Sequence, residues 1–398
     1  MHTKDQQGIR NYVEMNCSID GLIGFLLPGF ESCQPGSYMD VGCGFGFSLD
    51  IARRLTGAEV KGIEPAYYGR VGSEALGLPI LAELLTGTPE SQTEPGLRQR
   101  ADMIFSSEVI EHISAPDTLL KSIRAFLNPG GMAVITTPRA EALFEDISAS
   151  EKLAIVSPGA HVFLYSKEAF EAAMRRAGFP HVEIRLMGVT QIAYVSDQPF
   201  SLPECDTPAA ASRYLEDAAA DHPPDTMVGT GIWYRLFRQA VQSGQWEKAD
   251  RLSSELTFAA APVDLRYANY EGFLEHYRAC EASLCYHNAM LRMNHRREFA
   301  EASGEFLSAF RFCREILRIA TGSSVVEADL IWLSAFHGAL AAQHGDLPAN
   351  AAAIWSEVAS AHETGELPCL PQPVAGRIAT ELAPDFQPSE ELMGRLLA

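Results

Sequence analysis

The sequence has few basic residues for its length and no dense cluster of them. Lys and Arg together number 31 against 51 Asp and Glu, which gives a formal net charge of −20. A phosphate backbone or an anionic lipid surface selects proteins that concentrate Lys and Arg on one face. The composition therefore argues against nucleic acid or an anionic membrane as a tightly bound partner.

Cysteine pairs, a signal peptide and a membrane-spanning segment are also missing from the sequence. The eight cysteines form no C-x-x-C pair and no metal-knuckle spacing, so we expect free thiols in a reducing compartment. The N-terminus lacks the basic start and apolar run of a signal peptide. The apolar stretch 21–30 is too short to cross a bilayer and contains Gly24 and Pro28. We therefore expect a cytoplasmic protein with no membrane span.

Alternation of β-rich runs with helical patterns predicts an α/β domain in the first half of the chain. Strand candidates lie at 37–41, 59–63, 78–81, 102–106 and 132–137, with helical patterns between several of them. This alternation is typical of βαβ units and a parallel sheet. The runs 181–186 and 191–195 are separated by only four residues, which predicts a terminal antiparallel hairpin.

Changes in composition divide the chain into four predicted segments. These are an N-terminal helical cap (1–36), the α/β domain (37–198), a linker rich in Pro, Asp, Ala and Gly (199–228) and an all-α domain (229–398). Three segments of the last domain, beginning near Trp233, Tyr286 and Gly338, resemble degenerate tetratricopeptide helical hairpins. Their spacing exceeds the usual repeat of about 34 residues, so an irregular helical bundle is the alternative.

The most informative segment is a glycine-rich turn between a strand and a helix. It reads D-x-G-x-G-x-G, formed by Asp40, Gly42, Gly44 and Gly46. Glycines permit a sharp turn with positive φ and close approach of a ligand to the backbone. A nicotinamide fingerprint, G-x-G-x-x-G, would place its last glycine at Phe47. An acid two residues before the first glycine instead favours a cationic ligand, and S-adenosylmethionine carries both an ammonium and a sulfonium.

A second acid follows the next strand. Glu64 stands about 20 residues after the turn, where an acidic residue accepts hydrogen bonds from ribose hydroxyls. Taken singly, Gly46 could serve only helix packing and Glu64 could be a solvated strand end. Taken together and in this order, the glycines and the two acids predict a site for S-adenosylmethionine.

Further motifs follow the glycine turn along the chain. They are residues 102–113, the L-N-P-G-G run at 127–131, the T-T-P run at 136–138, residues 161–166 and the A-G-F run at 177–179. Together with the glycine turn they make residues 35–196 resemble the class I S-adenosylmethionine-dependent methyltransferase family. The subgroup that this suggests contains ubiquinone-type, sugar and natural-product O-methyltransferases and small-RNA 2′-O-methyltransferases.

The resemblance implies a fold and a set of cofactor contacts. The fold would be a Rossmann-like seven-stranded sheet with a reversed final strand, followed by the second, all-α domain. Asp40 and the three glycines would contact the methionine part of the cofactor, and Glu64 would contact the ribose. Ser106 or Ser107, after the fourth strand, would border the amino-acid end. The adenine contact is not identified, because residues 87–100 depart from the compact spacing usual in the family.

An acid and histidine cluster follows the fourth strand. On a helical turn, Glu108, Glu111 and His112 would share one side. The resemblance implies that some relatives bind a divalent cation through this pattern and a later histidine, to which His161 corresponds. Mixed carboxylate and imidazole ligands suit Mn, Fe or Zn, whereas the resemblance indicates Mg. Two alternatives stay open: His112 or His161 acts as a general base, or Glu111 and His112 only brace the loop.

We therefore expect a methyltransferase that modifies a hydroxyl of a small molecule, a glycan or a lipid-linked intermediate. N-methylation is the nearest alternative, because the cofactor half of the site does not distinguish acceptors. A different reading is a scaffold in which the helical domain binds a protein and the nucleotide fold is inactive. The acceptor pocket is expected to involve residues 11–30 and 139–159, together with the helical domain.

Overall fold

The computed structural model describes residues 8–16, 19–147, 149–262, 265–320 and 325–397. The chain forms two compact units: residues 17–217, and residues 1–16 together with 218–398. This division differs from the predicted segments, because the region predicted as one N-terminal cap is shared between the units. The predicted linker also contains a helix, Thr207–Asp221, within which the division falls.

The first unit is built on one seven-stranded sheet. Its strands are β1 (Ser37–Val41), β2 (Glu59–Ile63), β3 (Ile80–Leu81), β4 (Ala101–Ser107), β5 (Leu127–Pro138), β6 (His181–Met187) and β7 (Thr190–Ser196). Their order is β3-β2-β1-β4-β5-β7-β6. The first five strands are parallel, and β7 is antiparallel to both of its neighbours. The predicted Rossmann-like sheet and its terminal antiparallel hairpin are confirmed.

Helices precede, connect and follow these strands. They are α1 (Ile19–Cys33), α2 (Phe47–Thr56), α3 (Tyr67–Leu76), α4 (Pro116–Phe126), α5 (Ala149–Val156), α6 (Lys167–Arg176) and α7 (Thr207–Asp221). Successive residues of a strand face opposite sides of the sheet. On β5, Met132 and Val134 approach Gly29 of α1, whereas Ala133 and Ile135 join a core that includes residues of α4 and α6. Because helices cover both faces, the carboxyl ends of the strands are the edge at which a ligand can enter.

The second unit is helical. Its helices are α8 (Met227–Gln242), α9 (Trp246–Glu255), α10 (Tyr270–Leu274), α11 (Glu281–Leu291), α12 (Phe299–Ile319), α13 (Val325–His344), α14 (Pro348–Glu363), α15 (Gln372–Glu381) and α16 (Glu390–Leu397). The three predicted hairpin segments lie on α8 and α9, on α11 and α12, and on α13 and α14, and the members of each pair pack together. A tetratricopeptide-like repeat stays a prediction for this unit.

Residues 8–16 belong to this helical unit. The carboxylate of Glu14 is buried and accepts a hydrogen bond from the Ala279 amide at 2.6 Å. Arg235 donates to the carbonyl oxygen of Met15 at 2.8 Å. In the part of the chain that the structure describes, no helix combines the length and apolar character needed to cross a membrane.

Candidate active site

The glycine turn joins β1 to α2 in a conformation that only glycine adopts readily. The φ angles of Gly42, Gly44 and Gly46 are +79°, +54° and +96°. A Cβ atom on Gly42 would lie 2.4 Å from a methyl carbon of Val109, and one on Gly46 would lie 2.9 Å from Ile80. Both contacts are too close for a side chain, so positive φ and tight packing explain these glycines.

A cavity of about 440 Å³ opens beside this turn, at the carboxyl ends of β1, β2 and β4. This volume lies in the range of small-molecule sites. Much of the lining is apolar, and the segment after β3 contributes Glu83, Leu84, Leu85 and Thr86. Four ionisable side chains also line it: Glu64, Glu83, Glu108 and His112. A cavity lined by three acids favours a cationic ligand.

Glu64 connects the end of β2 to the glycine turn. Its Oε2 accepts a hydrogen bond from the Gly44 amide at 3.1 Å, and its Oε1 accepts one from the Ala66 amide at 2.8 Å. A carboxylate oxygen can accept more than one hydrogen bond, so Glu64 keeps acceptor capacity for a ligand. The predicted ribose acceptor therefore also holds the turn in place.

Asp40 lies behind the turn and does not line the cavity. Its side chain is buried, and Oδ2 accepts a hydrogen bond from the Ser48 hydroxyl. Among the described residues, Oδ1 has no hydrogen-bond partner. Burial raises the pKa of Asp40 to about 7; the Ser48 hydrogen bond opposes this rise and the charge of Glu64 adds to it. The Asp40 side chain therefore does not face the cavity, and its contact with the cofactor stays a prediction.

The two serines at the end of β4 have structural partners. Ser106 is buried and donates to the Val41 carbonyl oxygen at 3.1 Å. The Ser107 hydroxyl lies 2.7 Å from the hydroxyl of Thr136. Neither serine lines the cavity, and of the predicted cofactor residues only Gly42 and Glu64 do.

Sequence analysis did not single out two glycines of α3 that shape this site. A Cβ on Gly72 would lie 1.8 Å from the carbonyl oxygen of Phe45 in the glycine turn. A Cβ on Gly69 would lie 2.8 Å from the side chain of Glu64. The available signal was their three-residue spacing in the helix that follows Glu64. Because these glycines have no side chain, the backbone of α3 packs directly against the turn and against Glu64.

Glu111, His112 and His161 come together at the other end of the site. One ligand atom from each lies within 4.8 Å of the others, and the two imidazole rings are 4.7 Å apart between centroids. The short turn Ile110–His112 carries the first two residues. The backbone oxygen of Glu111 accepts hydrogen bonds from the amides of Val162, at 2.7 Å, and Phe163, at 3.2 Å, which brings His161 to the cluster.

The hydrogen bonds of the two histidines determine which ring nitrogen carries a lone pair. Nδ1 of His112 lies 3.1 Å from the Ala160 carbonyl oxygen, and Nδ1 of His161 lies 2.7 Å from that of Ile155. A carbonyl oxygen only accepts, so Nδ1 is the donor in both rings. Each neutral ring therefore has its lone pair on Nε2.

Glu111 completes this group of acceptors. Its buried Oε2 accepts a hydrogen bond from Thr137 Oγ1 at 3.0 Å. Oε1 has no hydrogen-bond partner among the described residues and lies 3.9 Å from Nε2 of His112. Burial raises the pKa of Glu111, and its own backbone, Thr137 and the two histidines oppose this rise. The Glu111 carboxylate and the two imidazole rings thus form a group of potential metal ligands or proton acceptors.

Glu108 is separated from this cluster. The structure replaces the predicted helical turn with a left-handed residue, Glu108 at φ +55°, followed by the short turn that carries Glu111. The amide of Glu108 donates to the Thr136 carbonyl oxygen at 3.2 Å, and Oε1 accepts from Thr136 Oγ1 at 3.1 Å. The residue as a whole is exposed. Desolvation of the carboxyl group by the surrounding protein, followed by the charge of Glu111, raises the pKa of Glu108 to about 7, and the Thr136 hydrogen bond opposes this rise. Three of the four predicted metal ligands therefore converge, and Glu108 does not join them.

Comparisons with known proteins identify similar sequences and structures. Residues 14–184 match a family described as "Methyltransferase domain". A ubiquinone biosynthesis O-methyltransferase of Cereibacter sphaeroides is 34% identical over 103 residues, which cover 25% of this chain and 40% of the relative. A relative of the same name from Proteus mirabilis is 30% identical over 106 residues, with the same coverage. The chain thus spans about 40% of the length of these curated relatives.

A solved O-methyltransferase family protein from Burkholderia thailandensis aligns with 49% of this chain and 60% of its own, with a TM-score of 0.39 and 15% identity.

Proposed function

We propose that the protein is a class I methyltransferase that transfers a methyl group from S-adenosylmethionine to a hydroxyl oxygen, because residues 14–184 match a methyltransferase-domain family and the seven-stranded sheet has the Rossmann-like order. The observation that supports this most directly is the left-handed glycine turn, held by Glu64 at the wall of an acid-lined cavity. Backbone without side chains admits the cofactor, and the carboxylates complement its positive charge.

The acceptor that we propose is a hydroxyl of a small molecule, a glycan or a lipid-linked intermediate. The ubiquinone biosynthesis O-methyltransferases support oxygen rather than nitrogen as the acceptor atom. An alcohol is a poor nucleophile until its proton is removed, and basic groups at the site serve that need. N-methylation is the alternative, because the cofactor half of the site would be the same.

Cofactor binding tests this proposal without knowledge of the acceptor. We expect isothermal titration calorimetry to detect binding of S-adenosylmethionine and S-adenosylhomocysteine but not of NAD. The glycine turn lacks the nicotinamide spacing, and Glu64, Glu83 and Glu108 would repel a pyrophosphate. Tighter binding of NAD than of S-adenosylmethionine would overturn the assignment.

We further propose that Glu111, His112 and His161 hold a divalent cation. The donor set fits, because both histidines direct a lone pair from Nε2 and each donates its other ring nitrogen to a backbone carbonyl, as metal ligands do. The buried Oε1 of Glu111 lacks a partner of its own among the described residues. Imidazole and carboxylate suit Mn, Fe or Zn, and the family resemblance indicates Mg. A cation there would lower the pKa of an acceptor hydroxyl.

Cobalt binding tests the cation site independently of activity. We expect Co²⁺ to bind the protein with a stoichiometry near one and to give a visible absorption band from its d–d transitions. His112→Ala and His161→Ala should each weaken this binding about tenfold, because each removes one ligand. His181→Ala, which changes a histidine on β6 outside the cluster, should leave it unchanged. Equal Co²⁺ affinity in all of these variants would exclude the site and leave His112 and His161 as candidate bases.

A protein partner for the helical unit is a separate proposal. Helices α8, α9, α11 and α13 line a groove of about 790 Å³ that includes Trp246, Tyr286 and Met290. Large aromatic and sulfur-containing side chains at a groove are typical of protein-binding surfaces. Binding of a peptide library to the full chain, with Trp246→Ala as the comparison, would test this proposal; equal binding by both proteins would contradict the groove as the site.

A further inference from the structure

Two consecutive threonines at the end of β5 hold the two acids of the site apart. Thr136 Oγ1 donates to Glu108 Oε1 at 3.1 Å, and Thr137 Oγ1 donates to Glu111 Oε2 at 3.0 Å. Neighbouring residues of a strand direct their side chains to opposite faces of the sheet. Each acid therefore has its own threonine donor, and Glu108 lies outside the group of potential ligand atoms around Glu111.

The position of Glu108 is maintained by several contacts. Its backbone adopts a left-handed conformation that costs free energy in a residue with a side chain. The amide and the carboxylate both bond to Thr136, whose hydroxyl also contacts Ser107. Strain that is retained by specific contacts is common at ligand sites. The carboxylate that results lines the same cavity as Gly42 and Glu64.

The chemistry of the cofactor suggests what this carboxylate meets. S-adenosylmethionine has an ammonium at its amino-acid end, a sulfonium in the middle and ribose hydroxyls beyond. Glu64, at the end of β2, is the expected ribose acceptor, and Asp40 is buried behind the turn. Glu108 follows β4, which pairs with β1 and borders the glycine turn. It is thus the acid nearest along the sheet to the end where the amino-acid part is expected.

We propose that Glu108 belongs to the cofactor cavity rather than to the cation site, and that its carboxylate binds the ammonium of S-adenosylmethionine. This inference rests on the proposed function. It separates the four residues of the acid and histidine cluster into a three-residue cation site and a single cofactor-binding acid. Thr136 is the positioning residue for Glu108, as Thr137 is for Glu111.

Three adenosine ligands test this assignment with the full-length protein and no acceptor. S-adenosylmethionine carries the ammonium and the sulfonium, S-adenosylhomocysteine carries only the ammonium, and 5′-methylthioadenosine carries neither. We expect Glu108→Gln to weaken the binding of S-adenosylmethionine and S-adenosylhomocysteine about tenfold, because the variant removes a hydrogen bond between charged groups. Binding of 5′-methylthioadenosine should be unchanged, which also shows that the variant is folded and that the adenosine half of the site is intact.

The reciprocal variant provides the matched control. Glu111→Gln should weaken Co²⁺ binding and leave S-adenosylhomocysteine binding unchanged, whereas Glu108→Gln should do the reverse. Loss of Co²⁺ affinity in Glu108→Gln without loss of cofactor affinity would overturn the proposal and make Glu108 a metal ligand. If Glu108→Gln weakened only the binding of S-adenosylmethionine, Glu108 would be assigned to the sulfonium instead. Equal weakening of the binding of all three ligands, or of none, would also overturn the proposal.

Threonine variants test the positioning role. Thr136→Val keeps the shape of the side chain but removes the hydroxyl donor. It should therefore weaken the binding of S-adenosylhomocysteine and leave the binding of 5′-methylthioadenosine unchanged. Thr136→Ser restores the hydroxyl and should restore binding, and Thr137→Val should leave cofactor binding unchanged. Failure of the wild-type protein to bind any of the three ligands would contradict the proposed function itself, a result distinct from a failure confined to Glu108.

Discussion

Replacing Gly72 by alanine is expected to destabilise the α/β unit by about 3 kcal/mol and to abolish most binding of the proposed cofactor. The new Cβ would lie 1.8 Å from the carbonyl oxygen of Phe45, which is a backbone atom in the middle of the glycine turn. A flexible side chain could move aside, but here either α3 or the turn must shift. Because the turn is held by Glu64 at the cavity wall, a shift of the turn also distorts the cofactor site.

Chemical denaturation and calorimetry with S-adenosylhomocysteine would measure the two effects. Gly21→Ala is a suitable control, since Gly21 also lies in a helix of this unit and its Cβ would come no closer than 3.9 Å to Phe25. There alanine should be neutral or stabilise slightly, because it has the higher helix propensity. Wild-type stability and affinity in Gly72→Ala would show that the close approach of α3 to the turn is not required.

Replacing Glu64 by alanine is expected to weaken the binding of S-adenosylmethionine about 100-fold. The variant removes the acceptor proposed for the ribose hydroxyls, and it also removes the acceptor of the Gly44 and Ala66 amides. Each lost hydrogen bond to a charged group costs about 1.5–3 kcal/mol, and every 1.4 kcal/mol is a factor of ten in affinity. Since this variant changes the adenosine half of the site, the binding of 5′-methylthioadenosine should weaken as well. Glu108→Gln, by contrast, is expected to leave that binding unchanged.

Glu59→Ala controls for the loss of one negative charge on the same strand. Glu59 is exposed at the start of β2, away from the carboxyl ends of the strands where the cavity lies. Its removal should leave the affinity unchanged. If Glu64→Ala bound S-adenosylmethionine as tightly as the wild type does, the acid after β2 would have no part in cofactor binding, and the cavity would need another ligand.

Features encoded in short stretches were predictable from the sequence. The turn from Asp40 to Gly46 was recognisable because its chemistry depends on residues that are adjacent along the chain. The sheet and its reversed last strand followed from the alternation of strand and helix patterns and from the short connection before β7. By contrast, the expectation that Glu108 shares one side with Glu111 assumed a helical turn, and the left-handed residue there breaks it.

The requirement for Gly72 was not predictable, because it depends on how closely α3 packs against a turn that lies far from it in sequence. The same holds for Asp40, whose side-chain burial depends on the helix above it and on the strands on either side, Gly62 and Phe105 being its register partners. The sequence gives the residue type at each position. It does not tell which face of the packed sheet receives the side chain.

By itself, the sequence determined the α/β architecture, the glycine turn with its partner Glu64 and the presence of acids and histidines after the fourth strand. Only the tertiary structure decided how those acids are divided. The pairing of β4 with β5 places Ser107 opposite Thr136, so that successive threonine hydroxyls reach Glu108 and Glu111 separately. The physical reason is that local motifs depend on neighbours in the chain, whereas the direction of a side chain depends on strand register and on contacts between distant segments.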